Sequence, residues 1–184
     1  GKTMLAARLP GILPDLTPSE AREVARIHSV AGLRAHDSPL SAERPFRAPH
    51  HTVSAAGLIG GATCRPGEAT LAHCGVLFLD ELPEFPRSTL DALRGPILNR
   101  VAGLATSRGR VLLPAGFMLV VAADGTVAQG YGGRAAPVPE DIEARYQERK
   151  ARACHTLGIE MRVEMEQPFR PGDCSLPPMA EDSA

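Results

Sequence analysis

The chain has 184 residues, the size of one domain, and its 20 lysines and arginines against 21 aspartates and glutamates leave a formal net charge of −1, so no overall basic excess points to nucleic acid. Hydrophobic residues make up 43% and charged ones 22%, the balance of a folded globular domain rather than of a disordered or collagen-like chain. No apolar run approaches the roughly 18 residues that a membrane span needs, and Gly1-Lys2-Thr3-Met4-Leu5 lacks the charged, apolar, small-residue order of a secretory signal, so a cytoplasmic chain already in progress at Gly1 is expected.

A first helix is expected from residue 2 to about residue 9, where Pro10-Gly11 stops it, because proline lacks the amide donor and clashes with the preceding turn. Thr17-Pro18-Ser19-Glu20 has the form of a capping box: the threonine caps, proline takes the first helical position, and the glutamate reaches back to the cap amide. That helix should run through Val24 and Ile27 to about Val30, ending before Gly32. From residue 32 to residue 67 Pro, Gly, Ala, Ser and His follow one another with no sustained period, which predicts an ordered loop with short inserted elements.

Gly75-Val76-Leu77-Phe78-Leu79 is a short, wholly apolar run ending in Asp80-Glu81, the pattern of a central strand buried on both faces. Such a strand delivers its acids at the C-terminal edge of the sheet, where open α/β sheets bind ligands. Residues 87–93 read as a helix with Leu90 and Leu93 on one face, terminated by Gly95-Pro96. Residues 101–106 and 111–113 flank Ser107-Arg108-Gly109-Arg110, which predicts a hairpin. Residues 117–122 form a second buried strand, followed by a turn at Asp124-Gly125.

A charged helix is expected from Pro139 to about Ala153, with Asp141/Arg145 and Glu148/Arg152 at the four-residue spacing that pairs side chains along one wet face. Residues 159–165 alternate apolar with charged, the period of a half-buried strand. From residue 168 Pro, Gly, Asp and Ser dominate, which predicts a disordered tail and divides the chain into a domain of residues 1–167 and a tail of 168–184. Cys64, Cys74, Cys154 and Cys174 make no Cys-x-x-Cys pair and have no histidine at zinc-finger spacing, which argues against a metal centre on the cysteines. His73-Cys74 and Cys154-His155 have the composition of a nucleophile and base, but sequence neighbours rarely face one another, and free thiols are the expectation.

Two segments carry chemistry. Gly1-Lys2-Thr3 followed by a helix matches the end of G-x-x-x-x-G-K-[ST], the phosphate-binding Walker A loop. In such a loop amides at a helix start cradle the phosphates, the Lys2 ammonium neutralises the β and γ charges, and the Thr3 hydroxyl ligates Mg²⁺. The tripeptide is common enough by itself to mean nothing. Val76-Leu77-Phe78-Leu79-Asp80-Glu81 has the Walker B form, in which Asp80 would hold Mg²⁺ through water and Glu81 would act as the catalytic group polarising the attacking water. Alone, it also reads as an ordinary solvated strand exit.

Longer blocks narrow the reading. Lys2-Thr3-Met4-Leu5-Ala6, Ile27-His28-Ser29-Val30-Ala31-Gly32, Arg44-Pro45-Phe46-Arg47-Ala48-Pro49-His50-His51-Thr52, Pro66-Gly67-Glu68 through Leu71-Ala72-His73, and 75–85 together resemble the signature segments of magnesium-chelatase-like AAA+ ATPases, in the order of the ComM/YifB branch. The similarity is close over residues 1–98 and fainter to about 166. It implies an α/β fold, a P-loop NTPase core with a mainly parallel sheet, here without its first strand and most of the Walker A loop. It implies ATP and Mg²⁺ as cofactors, with Gly1, Lys2 and Thr3 on the nucleotide, Thr3 and Asp80 on the metal, and Glu81 catalytic. It further implies a homo-oligomeric, hexameric ring, no membrane partner, and a motor acting on DNA in recombination or natural transformation. Arg47, His50 and His51 would contribute substrate or subunit contacts, or simply pack their loop.

The second half departs from that pattern. Where the family carries Ala-Met-Asn-Pro, with an asparagine sensing the γ-phosphate, the chain has Ala122-Ala123-Asp124-Gly125, and an aspartate there would repel the phosphate. Where Asp-Arg-Ile-Asp should supply an arginine finger, it reads Leu157-Gly158-Ile159-Glu160, leaving Arg152 and Arg162 as the arginines available for that role. These departures keep two other readings open: a non-catalytic nucleotide-binding or assembly remnant, and a motor subunit of the chelatase type.

Overall fold

The computed structural model describes residues 2–33, 39–61, 65–106, 109–123 and 140–158. Gly1, the turn at Asp124-Gly125, the strand expected at 159–165 and the tail from 168 lie outside the described residues, as do Arg162, Cys64 and Cys174. In chain order the elements are helices Lys2–Ala6 (α1) and Pro18–Val30 (α2), strand Phe46–Arg47 (β1), short helices Ala55–Ile59 (α3) and Glu68–Leu71 (α4), strand Val76–Leu79 (β2), helix Arg87–Asn99 (α5), strands Val101–Thr106 (β3), Gly109–Pro114 (β4) and Met118–Val121 (β5), and helix Glu140–Leu157 (α6).

β1, β2 and β5 form a parallel sheet with β2 in the middle, and β3 and β4 pair as an antiparallel hairpin. All four residues of β2 are buried, with Val76, Leu77 and Leu79 at 0% exposure and Phe78 at 1%. Leu77 and Leu79 face a cluster made by Leu58 of α3, Leu90 and Leu93 of α5, and Ala153, Cys154 and Leu157 of α6. Phe78 faces the other way, onto Ala6 of α1, Ala122, and the partly buried Phe46 and Val120. The sheet therefore carries helices on both faces, the α/β arrangement expected of a parallel sheet. Burying each of these large side chains contributes about 1.5–3 kcal/mol. Among the described residues no helix is long and apolar enough to cross a membrane.

The capping box of α2 forms as expected: the Thr17 hydroxyl accepts from the Glu20 amide at 3.3 Å, and the Thr17 amide donates to the Glu20 carboxylate at 2.8 Å. Hydrogen bonds from the Thr17 backbone and hydroxyl, with Arg44 adding charge, hold the Glu20 carboxyl below its usual range. Ala21, Val24 and Ile27 are the buried face. The long 32–67 stretch holds β1 and α3, as its mixed composition suggested, and α4 follows directly.

Several boundaries differ from the sequence reading, among them the end of α6, which runs to Leu157 rather than to about Ala153. α1 ends at Ala6, and Pro10 sits in a separate 3₁₀ turn, Leu9–Ile12. The ladder tightens there, from Ala7 N–H to Thr3 O at 3.0 Å to Arg8 N–H to Leu5 O at 3.1 Å, so the helix winds down before the proline. α5 does not stop at Gly95-Pro96 but runs to Asn99. Pro96 forgoes its amide bond, yet it continues the buried line of Leu90 and Leu93 and its carbonyl accepts from Arg100 at 2.8 Å; core contact outweighs the local penalty. β5 is shorter and less buried than expected, with Met118 46% exposed, because in the described sheet it has a strand on one side only.

Gly75 shows how tightly β1 and β2 approach. A Cβ at this residue would lie 2.0 Å from the Pro45 carbonyl oxygen, the same oxygen that accepts from the Val76 amide at 2.8 Å. Gly75→Ala should thus force β1 off the sheet and cost about 3 kcal/mol, the upper end for overpacking, whereas Thr17→Ala, which removes one cap, should cost about 1 kcal/mol. Urea-melt midpoints of the two variants in parallel check that order.

Candidate functional site

The chemistry gathers where β2 leaves the sheet. Asp80 follows the last buried residue of the strand, and its two oxygens are used differently: Oδ2 accepts the Thr3 hydroxyl at 2.7 Å, while Oδ1 accepts the Glu81 amide at 3.0 Å. Thr3 reaches Asp80 because α1 packs Ala6 against the Phe78 face of the sheet. The last residue of Gly1-Lys2-Thr3 and the first acid of the strand end are thereby joined across 77 positions of sequence. Lys2 opens α1 one residue before Thr3 and is partly buried.

Glu81 adopts a left-handed backbone, φ 54° and ψ 49°, which costs a non-glycine residue about 1–3 kcal/mol. Its surroundings hold it there: the Leu82 amide donates to the Ala122 carbonyl at 2.9 Å, and the Glu84 amide donates to the Glu81 carbonyl at 2.8 Å. The turn splays the two acids. Asp80 goes to Thr3, and the Glu81 carboxylate goes to His51, with Nδ1 and Oε2 3.1 Å apart. The His51 ring lies 4.0 Å from the His50 ring and meets Phe85 edge-on at 6.4 Å.

The loop after β1 divides its labour. Arg47 is bound bidentately to Glu68 of α4, Nε to Oε2 at 2.6 Å and the second nitrogen to Oε1 at 2.9 Å. Hydrogen bonding to Glu68 raises the guanidinium pKa further, against the opposing effect of burial. Of the two readings of Arg47, substrate or subunit contacts and plain packing, the pair with Glu68 favours packing. His50 is exposed and bonds Thr52 through Nδ1 at 3.0 Å. Of the arginines left for a finger role, Arg152 pairs with Glu148 on its own helix.

Thr3, Asp80 and Glu81 therefore share one strand edge, as the motif reading requires. His51 belongs with them and was not singled out as a partner of Glu81. The signal lies in the pairing: β1 and β2 register Phe46 with Val76 and Arg47 with Leu77, an offset of 76 − 46 = 30. The two strands end at Arg47 and Leu79, and the segments that leave them side by side meet again at the 3.1 Å contact of His51 with Glu81. The sequence shows both residues but not the register.

A second cluster, Glu23, His73 and Cys74, brings its donor atoms within 4.8 Å of one another. His73 Nδ1 accepts the Gly116 amide at 3.0 Å, so the ring proton sits on Nε2 and is donated to Glu23 at 3.0 Å. A metal at Nε2 would need the lone pair that this tautomer does not offer there. Burial first, then the Glu20 and Glu23 carboxylates, push the Cys74 thiol up, which keeps it protonated and poor as a nucleophile. The cluster reads as a tie between α2 and the turn into β2.

Residues 1–169 match the family described as magnesium chelatase, subunit ChlI. The uncharacterized protein Rv2897c of Mycobacterium tuberculosis is 53% identical over 126 residues, covering 67% of this chain and 25% of its own length. YifB of Escherichia coli is 48% identical over 134 residues, 72% of this chain and 26% of its own, and the competence protein ComM of Haemophilus influenzae is 46% identical over 136 residues, again 72% and 26%. The chain thus spans about a quarter of the length of these relatives. Among solved structures, NtrX from Brucella abortus aligns over 84% of this chain and 34% of that one, with a TM-score of 0.41 at 17% identity.

The contrast between the two ion-pair types is measurable. Glu68→Ala leaves a partly buried arginine unpaired and should cost about 2 kcal/mol, whereas Arg87→Ala, which removes the exposed pair with Asp91, should cost no more than about 0.5 kcal/mol. Equal midpoint shifts in chemical denaturation would contradict the structural role given to Arg47.

Proposed function

The chain belongs to the magnesium chelatase ChlI family, and on that footing we propose that it is the ATP-binding and ATP-hydrolysing part of a motor protein. The observation that carries the reading is the 2.7 Å hydrogen bond from the Thr3 hydroxyl to Asp80. It joins the end of a Gly-Lys-Thr phosphate-loop sequence to the acid of a buried strand end, the pair of groups that Mg²⁺-dependent NTPases bring together.

The donor set fits the ion. A hydroxyl and a carboxylate are hard oxygen ligands of the kind Mg²⁺ takes, usually few in number, the remainder being water and phosphate. Thr3 would hold the metal directly and Asp80 would hold its water shell, and the bound ion would neutralise charge building on the transferring phosphoryl group. Gly1 and Lys2 would bind the phosphate oxygens, the lysine as a point charge. Glu81 would orient a water molecule and accept its proton, a task for which an ionised carboxylate at the strand edge is suited.

Beyond hydrolysis, the proposal extends to a ring of copies, a hexamer, working on DNA. Its support is family membership and the 46% identity to a protein named for competence. A cytoplasmic location accompanies it, because ATP is supplied there. The non-catalytic alternative draws on the sequence departures at Asp124 and Gly158, and on Arg152, whose exposed guanidinium pairs with Glu148 of its own helix.

In the full-length protein, phosphate release should require Mg²⁺, and Glu81→Gln should lower kcat by about 10²–10⁴-fold while ATP affinity stays within about threefold. Thr3→Val should weaken Mg²⁺-dependent ATP binding. Turnover indifferent to Glu81→Gln removes that residue from the chemistry, and no turnover in the wild type favours the non-catalytic reading.

A further inference from the structure

We propose that Arg149 of α6 is a positioning residue that completes the backbone turn after Glu81 and so ties hydrolysis to the docking of α6; the inference rests on the ATPase reading above. Residues Leu82-Pro83-Glu84-Phe85-Pro86 create the need for it. In the 3₁₀ turn Leu82–Glu84 the Glu81 carbonyl accepts from the Glu84 amide at 2.8 Å, and the Leu82 carbonyl accepts from the Phe85 amide at 3.3 Å. The next bond of that series would reach the Pro83 carbonyl from residue 86, a second proline with no N–H to give. Among the described residues no backbone amide donates to that carbonyl. Pro83 is buried, so the oxygen needs a donor from another element. Arg149, 66 positions along the chain, supplies it: its Nη2 donates to the Pro83 carbonyl oxygen and, at 3.2 Å, to the Glu84 carboxylate.

The core fixes where Arg149 stands. Ala153, one helical turn further on, is buried with Cys154 and Leu157 in the cluster that also holds Leu79 and Leu82. The ion pair with Glu84 is about half exposed, 52% for Arg149 and 41% for Glu84, and adds little by itself; the charge-assisted bond to the buried carbonyl is the stronger tie. Two elements therefore hold the turn: the Ala122 carbonyl after β5 takes the Leu82 amide, and α6 takes the Pro83 carbonyl. The left-handed backbone of Glu81, φ 54°, lasts only while such contacts enforce it. Without Arg149 an orphaned carbonyl favours rearranging the turn, and a base that must meet one water in one geometry loses rate when it shifts. The Thr3–Asp80 bond lies before the turn, so nucleotide binding does not share this dependence. Arg149 touches neither phosphate nor water and acts through the backbone.

In the full-length protein, with Mg²⁺·ATP as substrate, Arg149→Met keeps the apolar stem and loses the donors. It should lower kcat roughly 10–100-fold with KM for ATP held within about twofold. Arg149→Lys keeps a charged donor and should return kcat to about two- to fivefold below wild type. Arg149→Met placed on Glu81→Gln should cost nothing further, since both act on one step. Wild-type kcat in a folded Arg149→Met overturns the assignment, as do equal losses in the Met and Lys variants or a raised KM at unchanged kcat. If circular dichroism shows Arg149→Met unfolded, Arg149→Lys decides: wild-type kcat at a lower melting temperature marks a mere brace and overturns the role, and a lowered kcat at unchanged KM upholds it. Absence of turnover in the wild type overturns the hydrolytic reading itself, whereas turnover that depends on Glu81 but not on Arg149 overturns this inference alone.

Discussion

The structure depends on burying one four-residue strand from both sides. Val76–Leu79 has no polar side chain, so helices must cover each face, and every group able to do chemistry is expelled to the strand's ends. This constraint brings α1 onto the Phe78 face and α3, α5 and α6 onto the Leu77 and Leu79 face. Thr3 meets Asp80 as a by-product of Ala6 packing. The same constraint explains Gly75, where two backbones approach so closely that a methyl group would lie 2.0 Å from the Pro45 carbonyl oxygen.

At the C-terminal end of that strand the backbone separates two adjacent carboxylates. Left side by side, Asp80 and Glu81 would repel one another and compete for the same partners. The left-handed turn at Glu81 sends them to different ones, a hydroxyl and an imidazole. Local strain of this kind persists only where surrounding contacts enforce it, and here the Leu82 amide bound to the Ala122 carbonyl ties the turn to the neighbouring strand. The end of β5, at the edge of the sheet among the described residues, thereby helps to shape the site.

Most other polar contacts brace the elements around this edge. The Arg44 guanidinium donates to the carbonyls of Pro14 and Cys74, each at 2.6 Å, so it links the segment before α2 with the turn into β2. His28 reaches the Leu71 carbonyl at 3.1 Å and joins α2 to α4. Arg47 and Glu68 join β1 to α4. Signature segments that look functional in the sequence, such as Arg44–Thr52, therefore contain braces as well as one residue at the site. A block of family resemblance marks a place in the fold, and only contacts distinguish the brace from the working group.

The sequence by itself determined the elements whose signals are local: the capping box at Thr17, the wholly apolar strand ending in acids, the hairpin, and the Gly-Lys-Thr start. Their physics operates over a few residues, by capping, alternation and loss of polar character, and so it can be read along the chain. Tertiary structure alone decided the rest. It carried α5 through Pro96, because a buried face outweighed one lost hydrogen bond. It committed Arg47 to Glu68 and placed His51 against Glu81. Those outcomes hang on contacts between elements far apart in the chain, and such contacts are set by how the whole core packs, which no local stretch of sequence contains.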